Sequence, residues 1–215
     1  MLSFHFAPGA CSLASHIALE ETGAAFAPKP LSLRRGHQRE PGYLRVNPLG
    51  KVPPLGLDDG TVLTENTAIL TYLARRFPES KLLPAGNAEA EAKALSLLAW
   101  CASGIHPTFS RLFGPQRFSD LPEAKDNVTA LARADVAKLF THIEGRLAGK
   151  DHVLGAYSAV DNYLFVFWKW AKGLGLDLAA YPNYAAHFER MSSRPAVQRA
   201  LAREAAAQAE FDKAA

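Results

Sequence analysis

The chain has 215 residues, of which 48% are hydrophobic, and this is enough to bury a substantial core in one large domain or two small ones. Its 24 basic and 21 acidic residues give a net charge of only +3, and no run of Lys and Arg suits a phosphate backbone, which argues against a nucleic-acid partner. No apolar run approaches the roughly 18 residues that span a bilayer, and the N-terminus has no signal-peptide pattern, so we expect a cytoplasmic protein without membrane contact.

The first 78 residues alternate short apolar runs with helical patterns and turn signals. In chain order they predict a strand over residues 2–6, a helix over 12–23, a strand over 26–33, a short helix within 34–45, two strands over 52–57 and 61–63, and a helix over 65–77. The helix between the first two strands predicts a parallel pair, and Asp59-Gly60 predicts an antiparallel hairpin. Together these elements predict an α/β domain with a mixed four-stranded sheet, thioredoxin-like in outline.

The rest of the chain has a helical pattern almost throughout. The predicted helices cover residues 88–113, 122–147, 158–174, 181–191 and 195–209. We therefore divide the chain into a thioredoxin-like domain over residues 1–78, a linker over 79–87, and an all-helical domain over 88–215. The third of these helices is apolar nearly all round, so it should form the buried centre of the second domain.

Ser158 and Asp161 form a capping-box pattern at the start of that apolar helix. Each side chain is expected to accept a hydrogen bond from the backbone N–H of the other residue. An unpaired carboxylate would be costly at such a buried position, so we interpret Asp161 as a structural residue.

Cys11 is the first residue that can carry chemistry. It follows a strand and a Pro-Gly turn and opens a helix, where free N–H groups and the helix dipole favour an anion and would lower the pKa of the thiol. The hydroxyl of Ser12 can donate to this sulfur or to the sulfur of a ligand. The alternative is that Cys11 is a small buried hydrophobe. Neither Cys11 nor Cys101 lies in a Cys-x-x-Cys or Cys/His pattern, so we expect free thiols and no metal.

A second candidate is the loop that contains Lys51, Val52 and Pro53. Proline favours an extended conformation for the residue before it, so the backbone N–H and C=O of Val52 can pair with a peptide ligand. A cis Val52–Pro53 bond would turn these groups outward, but only about 5–6% of X–Pro bonds are cis. An ordinary loop into an edge strand is the alternative.

A third candidate lies at Glu65 and Asn66, where strand gives way to helix. Backbone N–H groups at a helix start can hold a carboxylate, and the side chain of Glu65 can pair with an ammonium group. A plain helix N-terminus with an acidic first turn is the alternative. The three loops together suit a small peptide that has a thiol and a free α-amino-acid end, and glutathione fits that description.

The sequence resembles the glutathione transferases, and within them the bacterial beta class. The motifs that carry this resemblance run in order over essentially the whole chain: Ala7 to Leu13 with His16 to Leu19, Val46-Asn47-Pro48 through Val52-Pro53, Leu57 to Gly60 with Leu63-Thr64-Glu65, His106, and the Ser158–Asp161 box. The resemblance implies a thioredoxin-like domain, an all-helical domain and a homodimer.

The resemblance also implies roles for individual residues. It makes Val52–Pro53 a cis bond and assigns the cysteinyl backbone of glutathione to Val52, in the loop with Lys51 and Pro53. It assigns the γ-glutamyl end to Glu65 and Asn66. It assigns the sulfur to Cys11, Ser12 and His106, with His106 facing the thiol across the cleft as a hydrogen-bond donor or base. It leaves the glycyl carboxylate to Arg34 or Arg35.

One departure from the family pattern lies next to His106. The family often has Lys after this His, whereas this chain has Pro107, which removes a cation from the cleft and is expected to kink the helix.

Three functions remain open from the sequence. The main hypothesis is conjugation of the glutathione thiolate to a small hydrophobic electrophile, with Phe109, Phe113 and Trp168 as candidates for the electrophile pocket. The second is a glutathione-dependent thiol–disulfide reductase or peroxidase with Cys11 as the covalent nucleophile. The third is a glutathione-transferase-like binding module without catalysis.

Overall fold

The strands of the N-terminal part form a mixed four-stranded sheet in a computed structural model that describes residues 1–213. The strands are β1 (Leu2–Phe6), β2 (Phe26–Pro30), β3 (Pro54–Gly56) and β4 (Val62–Thr64), in the spatial order β2-β1-β3-β4. β1 pairs with β2 in parallel and with β3 antiparallel, and β3 pairs antiparallel with β4. The predicted thioredoxin-like sheet is therefore confirmed.

β2 is shorter than predicted and lies at the edge of the sheet. It ends at Pro30 rather than continuing to residue 33. Two of its five residues, Pro28 and Pro30, have no N–H to donate, and such residues are tolerated in an edge strand because one side of it needs no partner. The polar segment that follows leaves the sheet and leads into the site described below.

Nine α-helices complete the described part of the chain, and most follow the predicted bounds. They are α1 (Ser12–Thr22), α2 (Pro41–Leu44), α3 (Asn66–Arg76), α4 (Ala88–Trp100), α5 (His106–Phe113), α6 (Pro122–Leu147), α7 (Ala159–Gly173), α8 (Pro182–Ser192) and α9 (Pro195–Lys213). None of the helices within residues 1–213 is long and apolar enough to cross a lipid bilayer.

The predicted helix over residues 88–113 differs from the observed one in its middle. A π-helical segment, Cys101–Ile105, separates α4 from α5, and the N–H of His106 donates to the carbonyl of Cys101, five residues earlier. Pro107 has no N–H, and in an α-helix its ring would clash with the carbonyl four residues before it. The wider turn lets the chain pass Pro107 while α5 continues, and the sequence analysis did not predict this π-helical segment.

Helix α7 forms the centre of the core, as its apolar sequence predicts. Its residues from Ala159 to Trp168 are all buried. Helix α1 packs against α7 and α9 on one side and lies next to β1, so it joins the sheet to the helical part. The turn before α1, which contains Cys11, is consequently held against the helical part of the molecule.

The start of α7 is fixed by Asp161. The backbone N–H of Ser158 donates to Asp161 Oδ2 at 2.8 Å, which confirms the expected reach-back bond. The N–H of Val153 and the imidazole of His187 donate to Oδ1 at 3.0 and 2.9 Å. The carboxylate therefore connects the loop before α7, the first turn of α7 and α8.

Candidate active site

The turn between β1 and α1 places the Cys11 thiol beside the loop that contains Val52. The N–H of Ala10 donates to the carbonyl of Ala7 at 3.0 Å. Pro8 and Gly9 occupy the central positions, and Gly9 has φ +75°, which are the features of a type II turn. The thiol of Cys11 donates to the carbonyl of Val52, with 3.4 Å between Sγ and O.

The loop around Val52 has the expected cis bond to Pro53, so that prediction is confirmed. Two side chains hold the loop through the carbonyl of Lys51: the Tyr43 hydroxyl donates to it at 2.5 Å and the Asn47 amide at 2.8 Å. The side chain of Lys51 is exposed. The loop is thus fixed through its backbone while this cation remains available at the cleft.

The start of α3 completes the same region. Glu65 has φ +69°, a conformation that costs a non-glycine residue about 1–3 kcal/mol and that clusters at functional sites. The side-chain amide of Asn66 donates to the carbonyl of Cys11 at 3.0 Å, and its oxygen accepts from the Ser15 hydroxyl at 2.6 Å. The side chain of Asn66 therefore links α3 to α1, and its backbone N–H is of the kind that the sequence predicted for a ligand carboxylate.

The pKa of Cys11 differs from the prediction in sign. Burial among the surrounding groups raises the pKa of the thiol to about 12, and the negative charge of Glu65 raises it further. Hydrogen bonds from the backbone of Cys11 and Ser12 and from Asn66 oppose this change but are outweighed. The prediction that the helix start lowers this pKa is therefore wrong for the ligand-free protein, in which the thiol is neutral near pH 7.

The hydroxyl of Ser12 does not contact the Cys11 sulfur. It is fully buried and donates to the carbonyl of Ala7 at 3.3 Å, while the N–H of Ala7 donates to it at 3.2 Å. The expected hydroxyl–sulfur hydrogen bond is therefore replaced by one that closes the turn. The backbone N–H of Ser12, with that of Cys11 and the Asn66 amide, stabilises a charge on sulfur.

His106 is the first residue of α5, directly after the π-helical segment. Its Nδ1 lies 3.4 Å from the hydroxyl of Tyr163, and its ring centroid lies 5.1 Å from that of Trp170. Burial lowers the pKa of His106 to about 4, and the nearby positive charge of Lys51 contributes. The imidazole is therefore neutral near pH 7 and suits hydrogen bonding better than proton abstraction.

The two arginines proposed for a carboxylate are both exposed. The guanidinium of Arg35 donates to the backbone carbonyl of Phe211 in α9, so it points toward the end of that helix. Among residues 1–213, Arg34 makes no ion pair or side-chain hydrogen bond. Of the two guanidinium groups, that of Arg35 is therefore already engaged.

Two residues that contact the Cys11 turn were missed from the sequence. Trp170 of α7 donates through Nε1 to the carbonyl of Gly9, and Glu204 of α9 accepts the N–H of Gly9, both at 2.8 Å. Glu204 lies on the buried stripe of α9 with Val197, Ala200 and Ala207. A carboxylate at an apolar position of a helix was the signal that could have identified it.

His152, Asp161 and His187 form a group with metal-ligand spacing within the described residues. Asp161 already accepts hydrogen bonds from backbone N–H groups and from His187, and both the carboxylate and His187 are fully buried. The group is thus explained as the network that fixes the start of α7. The absence of a metal from this protein stays a prediction.

The fold and the site define a class: a thioredoxin-like domain whose thiol, at a helix start, contacts a cis-proline loop, packed on an all-helical domain. Residues 2–75 match the family model for the glutathione S-transferase N-terminal domain, and residues 101–195 match the model for the C-terminal domain. The chain belongs to the glutathione S-transferase family and is an enzyme of that family.

Three bacterial glutathione S-transferases are similar to this chain over nearly its whole length. The chain is 37% identical over 205 residues to glutathione S-transferase GstA of Escherichia coli O157:H7, covering 94% of this chain and 98% of the relative. It is similar to a sphingomonad glutathione S-transferase complexed with glutathione, with TM-score 0.84, 41% identity, and 94% and 98% of the two chains covered. A beta class enzyme of Sphingomonas chungbukensis has TM-score 0.83 and 39% identity, with the same shares covered.

Proposed function

We propose that the protein conjugates the thiolate of glutathione to a hydrophobic electrophile, with glutathione in the cleft formed by the Cys11, Val52 and Glu65 loops. The observation that carries the proposal is the 3.4 Å contact between Cys11 Sγ and the Val52 carbonyl, which brings the thiol site and the cis-proline loop together. The likeness to a sphingomonad enzyme complexed with glutathione supports this choice of ligand.

Each end of glutathione has a matching group in the cleft. The γ-glutamyl carboxylate suits the backbone N–H of Asn66 at the start of α3, and its ammonium suits the exposed carboxylate of Glu65. The cysteinyl N–H and C=O suit the backbone of Val52. The glycyl carboxylate suits a cation, and Arg34 and Lys51 are the exposed candidates.

The sulfur of glutathione, rather than that of Cys11, is the attacking atom in this proposal. The pKa of Cys11 is raised to about 12 by burial and by Glu65, so Cys11 is a poor source of thiolate near neutral pH. The backbone N–H of Ser12 and a neutral His106 can donate to the thiolate of glutathione, while the charge of Lys51 favours the anion. Catalysis then consists of thiolate stabilisation and positioning.

In this proposal the electrophile lies against Trp170 and Phe113. Their rings pack edge to face with centroids 5.1 Å apart, and Phe113 is 47% exposed at the end of α5. Of the other residues suggested by the sequence, Phe109 is fully buried and Trp168 packs in the core against Phe140 and Tyr184, so neither offers a surface to a substrate. In this proposal Trp170 replaces Trp168 as the tryptophan of the electrophile pocket.

The test compares two reactions in wild type and in the Cys11→Ala variant. We measure conjugation of glutathione to a chlorodinitrobenzene-type electrophile and reduction of a glutathione mixed disulfide. The proposal predicts that the variant keeps conjugation within about tenfold, because glutathione supplies the nucleophile. Conjugation abolished together with strong wild-type reductase activity would favour the covalent role of Cys11. A wild-type protein that does not bind glutathione-agarose and is not protected from heating by glutathione would contradict both enzymatic functions.

We also propose a homodimer, a cytoplasmic location, and a domain division with its linker at residues 79–87. These follow from the resemblance and from the sequence pattern, and light scattering on a size-exclusion column tests the first of them. A dimer of the 23.3 kDa chain is expected, and a mass of one chain at micromolar concentration would contradict it.

A further inference from the structure

Gly9, two residues before Cys11, is bound on both sides by the helical part of the protein. Its N–H donates to Glu204 Oε2 in α9, and its carbonyl accepts from Trp170 Nε1 in α7, both at 2.8 Å. These partners lie 195 and 161 residues away along the chain. The residue that leads into the thiol site is therefore held by two helices from the other part of the chain.

The bond from Glu204 acts on the peptide that defines the turn type. In a turn with Pro8 and Gly9 at its centre, types I and II differ mainly in the orientation of the peptide between these two residues. The Gly9 N–H belongs to this peptide, and φ of +75° at Gly9 corresponds to type II. Accepting this N–H therefore selects one orientation, and with it the direction in which the chain enters Cys11.

The buried position of Glu204 indicates that the main role of its carboxylate is to accept the Gly9 N–H. The residue is 4% exposed, and a buried carboxylate is costly without hydrogen-bond donors. Its other oxygen, Oε1, lies 4.0 Å from Nδ1 of the fully buried His16 and has no hydrogen-bond partner within the described residues. The Gly9 N–H is the donor at hydrogen-bond distance, and it belongs to the active-site turn.

We propose that Glu204 is a positioning residue for the glutathione thiol site: by holding the Gly9 peptide, it sets the place of Cys11 and of the Ser12 N–H. The inference rests on the proposed function for its kinetic consequence. Its structural consequence, the setting of Cys11, does not depend on conjugation and can be measured separately.

The kinetic test uses Glu204→Ala, Glu204→Gln and a matched control on the same helix. Loss of a hydrogen bond to a charged group predicts that kcat/KM for glutathione falls about tenfold in Glu204→Ala, mostly through KM. The amide oxygen of Gln can still accept the Gly9 N–H, so Glu204→Gln is expected within about threefold of wild type. The KM for the electrophile should change less than that for glutathione, because Phe113 is not hydrogen-bonded to the Gly9 turn, whereas Trp170 is.

The control is Arg203→Gln. Arg203 also joins α9 to α1, through Nε and Glu20 Oε1 at 2.7 Å, but it does not touch the Gly9 turn. This variant should leave KM for glutathione within about twofold, because the ion pair of Arg203 with Glu20 lies outside the site, while any loss of Tm in it reports stability alone. Comparing Glu204→Ala with Arg203→Gln therefore separates a loss of stability from a loss of positioning.

The second readout is alkylation of Cys11 by iodoacetamide in the glutathione-free protein, followed by peptide mass spectrometry, with the buried Cys101 as internal reference. A released turn exposes the thiol, so Glu204→Ala should be alkylated at least about threefold faster at pH 8. Gly9→Ala should reproduce this increase, because an alanine at positive φ is strained although its Cβ meets no atom within 4 Å. If Glu204→Ala does not fold, the alkylation rate of Gly9→Ala still tests the proposal.

The outcomes are distinguishable. Kinetics and alkylation of Glu204→Ala equal to those of Arg203→Gln would overturn the proposal and leave Glu204 a structural residue. Unchanged alkylation in both Glu204→Ala and Gly9→Ala would overturn it as well. A wild-type protein without conjugation would contradict the proposed function, and the alkylation rates alone would then decide the role of Glu204.

Discussion

Cys11 and Asp161 lie at the starts of two helices, but the pKa of Cys11 is raised and that of Asp161 is lowered. Cys11 directly precedes α1, and burial and Glu65 raise the pKa of its thiol to about 12. Asp161 lies in the first turn of α7, where burial alone would raise its pKa. Contacts from His152 and His187 and the N–H of Val153 outweigh burial and hold that pKa well below its usual range.

The difference lies in the groups that reach each site from elsewhere in the chain. Asp161 receives donors from the preceding loop and from α8, and these stabilise its charge. Cys11 donates to the Val52 carbonyl and faces the carboxylate of Glu65, so its neutral form is favoured. A helix N-terminus is thus a weak predictor of ionisation, because its contribution of about 0.3–1 kcal/mol is smaller than burial and specific partners.

The largest effect is expected from removing the Asp161 carboxylate. Asp161→Ala leaves the N–H groups of Val153 and Ser158 and the imidazole of His187 without their acceptor, so the free energy of unfolding should fall by about 3–5 kcal/mol. Urea denaturation measures this loss. The control is Asp135→Ala, which removes two partly exposed ion pairs, with Arg111 and Lys138, and should cost at most about 1 kcal/mol. Equal losses in the two variants would show that the network contributes no more than a surface pair.

Acid should weaken the same network in the wild-type protein. The pKa of Asp161 is lower when folded than when unfolded, so its contribution is complete above the unfolded value of about 3.9 and is lost as pH falls through the folded value. Urea denaturation at pH 6, 5, 4 and 3 should therefore show a loss of stability below about pH 4 in the wild type that Asp161→Ala lacks. If Asp161→Ala declines just as steeply over this range, the acid sensitivity has another source.

A smaller effect is expected from Glu65. Its negative charge is the second cause that raises the pKa of Cys11, so Glu65→Gln should speed alkylation of Cys11 by about threefold at pH 8. Glu79→Gln, an exposed carboxylate beyond the other end of α3, is the matched control and should leave the rate unchanged. The same rate in both variants would remove Glu65 from the electrostatics of the thiol.

The smallest effect is expected for His106 near neutral pH. Burial and Lys51 lower its pKa to about 4, so the folded protein binds this proton more weakly than the unfolded chain, and stability should decline from about pH 6.5 to pH 4 on this account. In NMR spectra, the imidazole resonances of His106 should stay constant between pH 8 and 5.5. A titration midpoint near the ordinary value of about 6.5 would contradict the lowered pKa, and it would permit His106 to act as a general base.

The sequence predicted the parts of the fold that depend on local patterns. Apolar periodicity identified the buried helix α7, and the Asp59-Gly60 turn identified the hairpin, because both signals lie within a few residues. The loops around Cys11 and Val52 were also identified, since Pro and Gly restrict the backbone locally.

What the sequence did not predict depends on contacts between distant residues. Ser12 binds Ala7 rather than the thiol because the turn folds back on itself. The π-helical segment before Pro107 arises where the helix must keep its packing on both sides of a proline. Glu204 contacts Gly9, which lies 195 residues away along the chain. The charge of Glu65 acts on Cys11 only in the folded protein, where the two residues lie near each other.

The raised pKa of the Cys11 thiol is tested most directly by the pH dependence of Cys11 alkylation in the glutathione-free protein. A thiol with a pKa near 12 reacts at a rate that still rises tenfold per pH unit at pH 9.5, because the thiolate fraction has not saturated. We predict this continuous rise, measured by peptide mass spectrometry at Cys11. A plateau with a midpoint below pH 8 would contradict it and would show that the helix start, and not burial and Glu65, sets the state of the thiol.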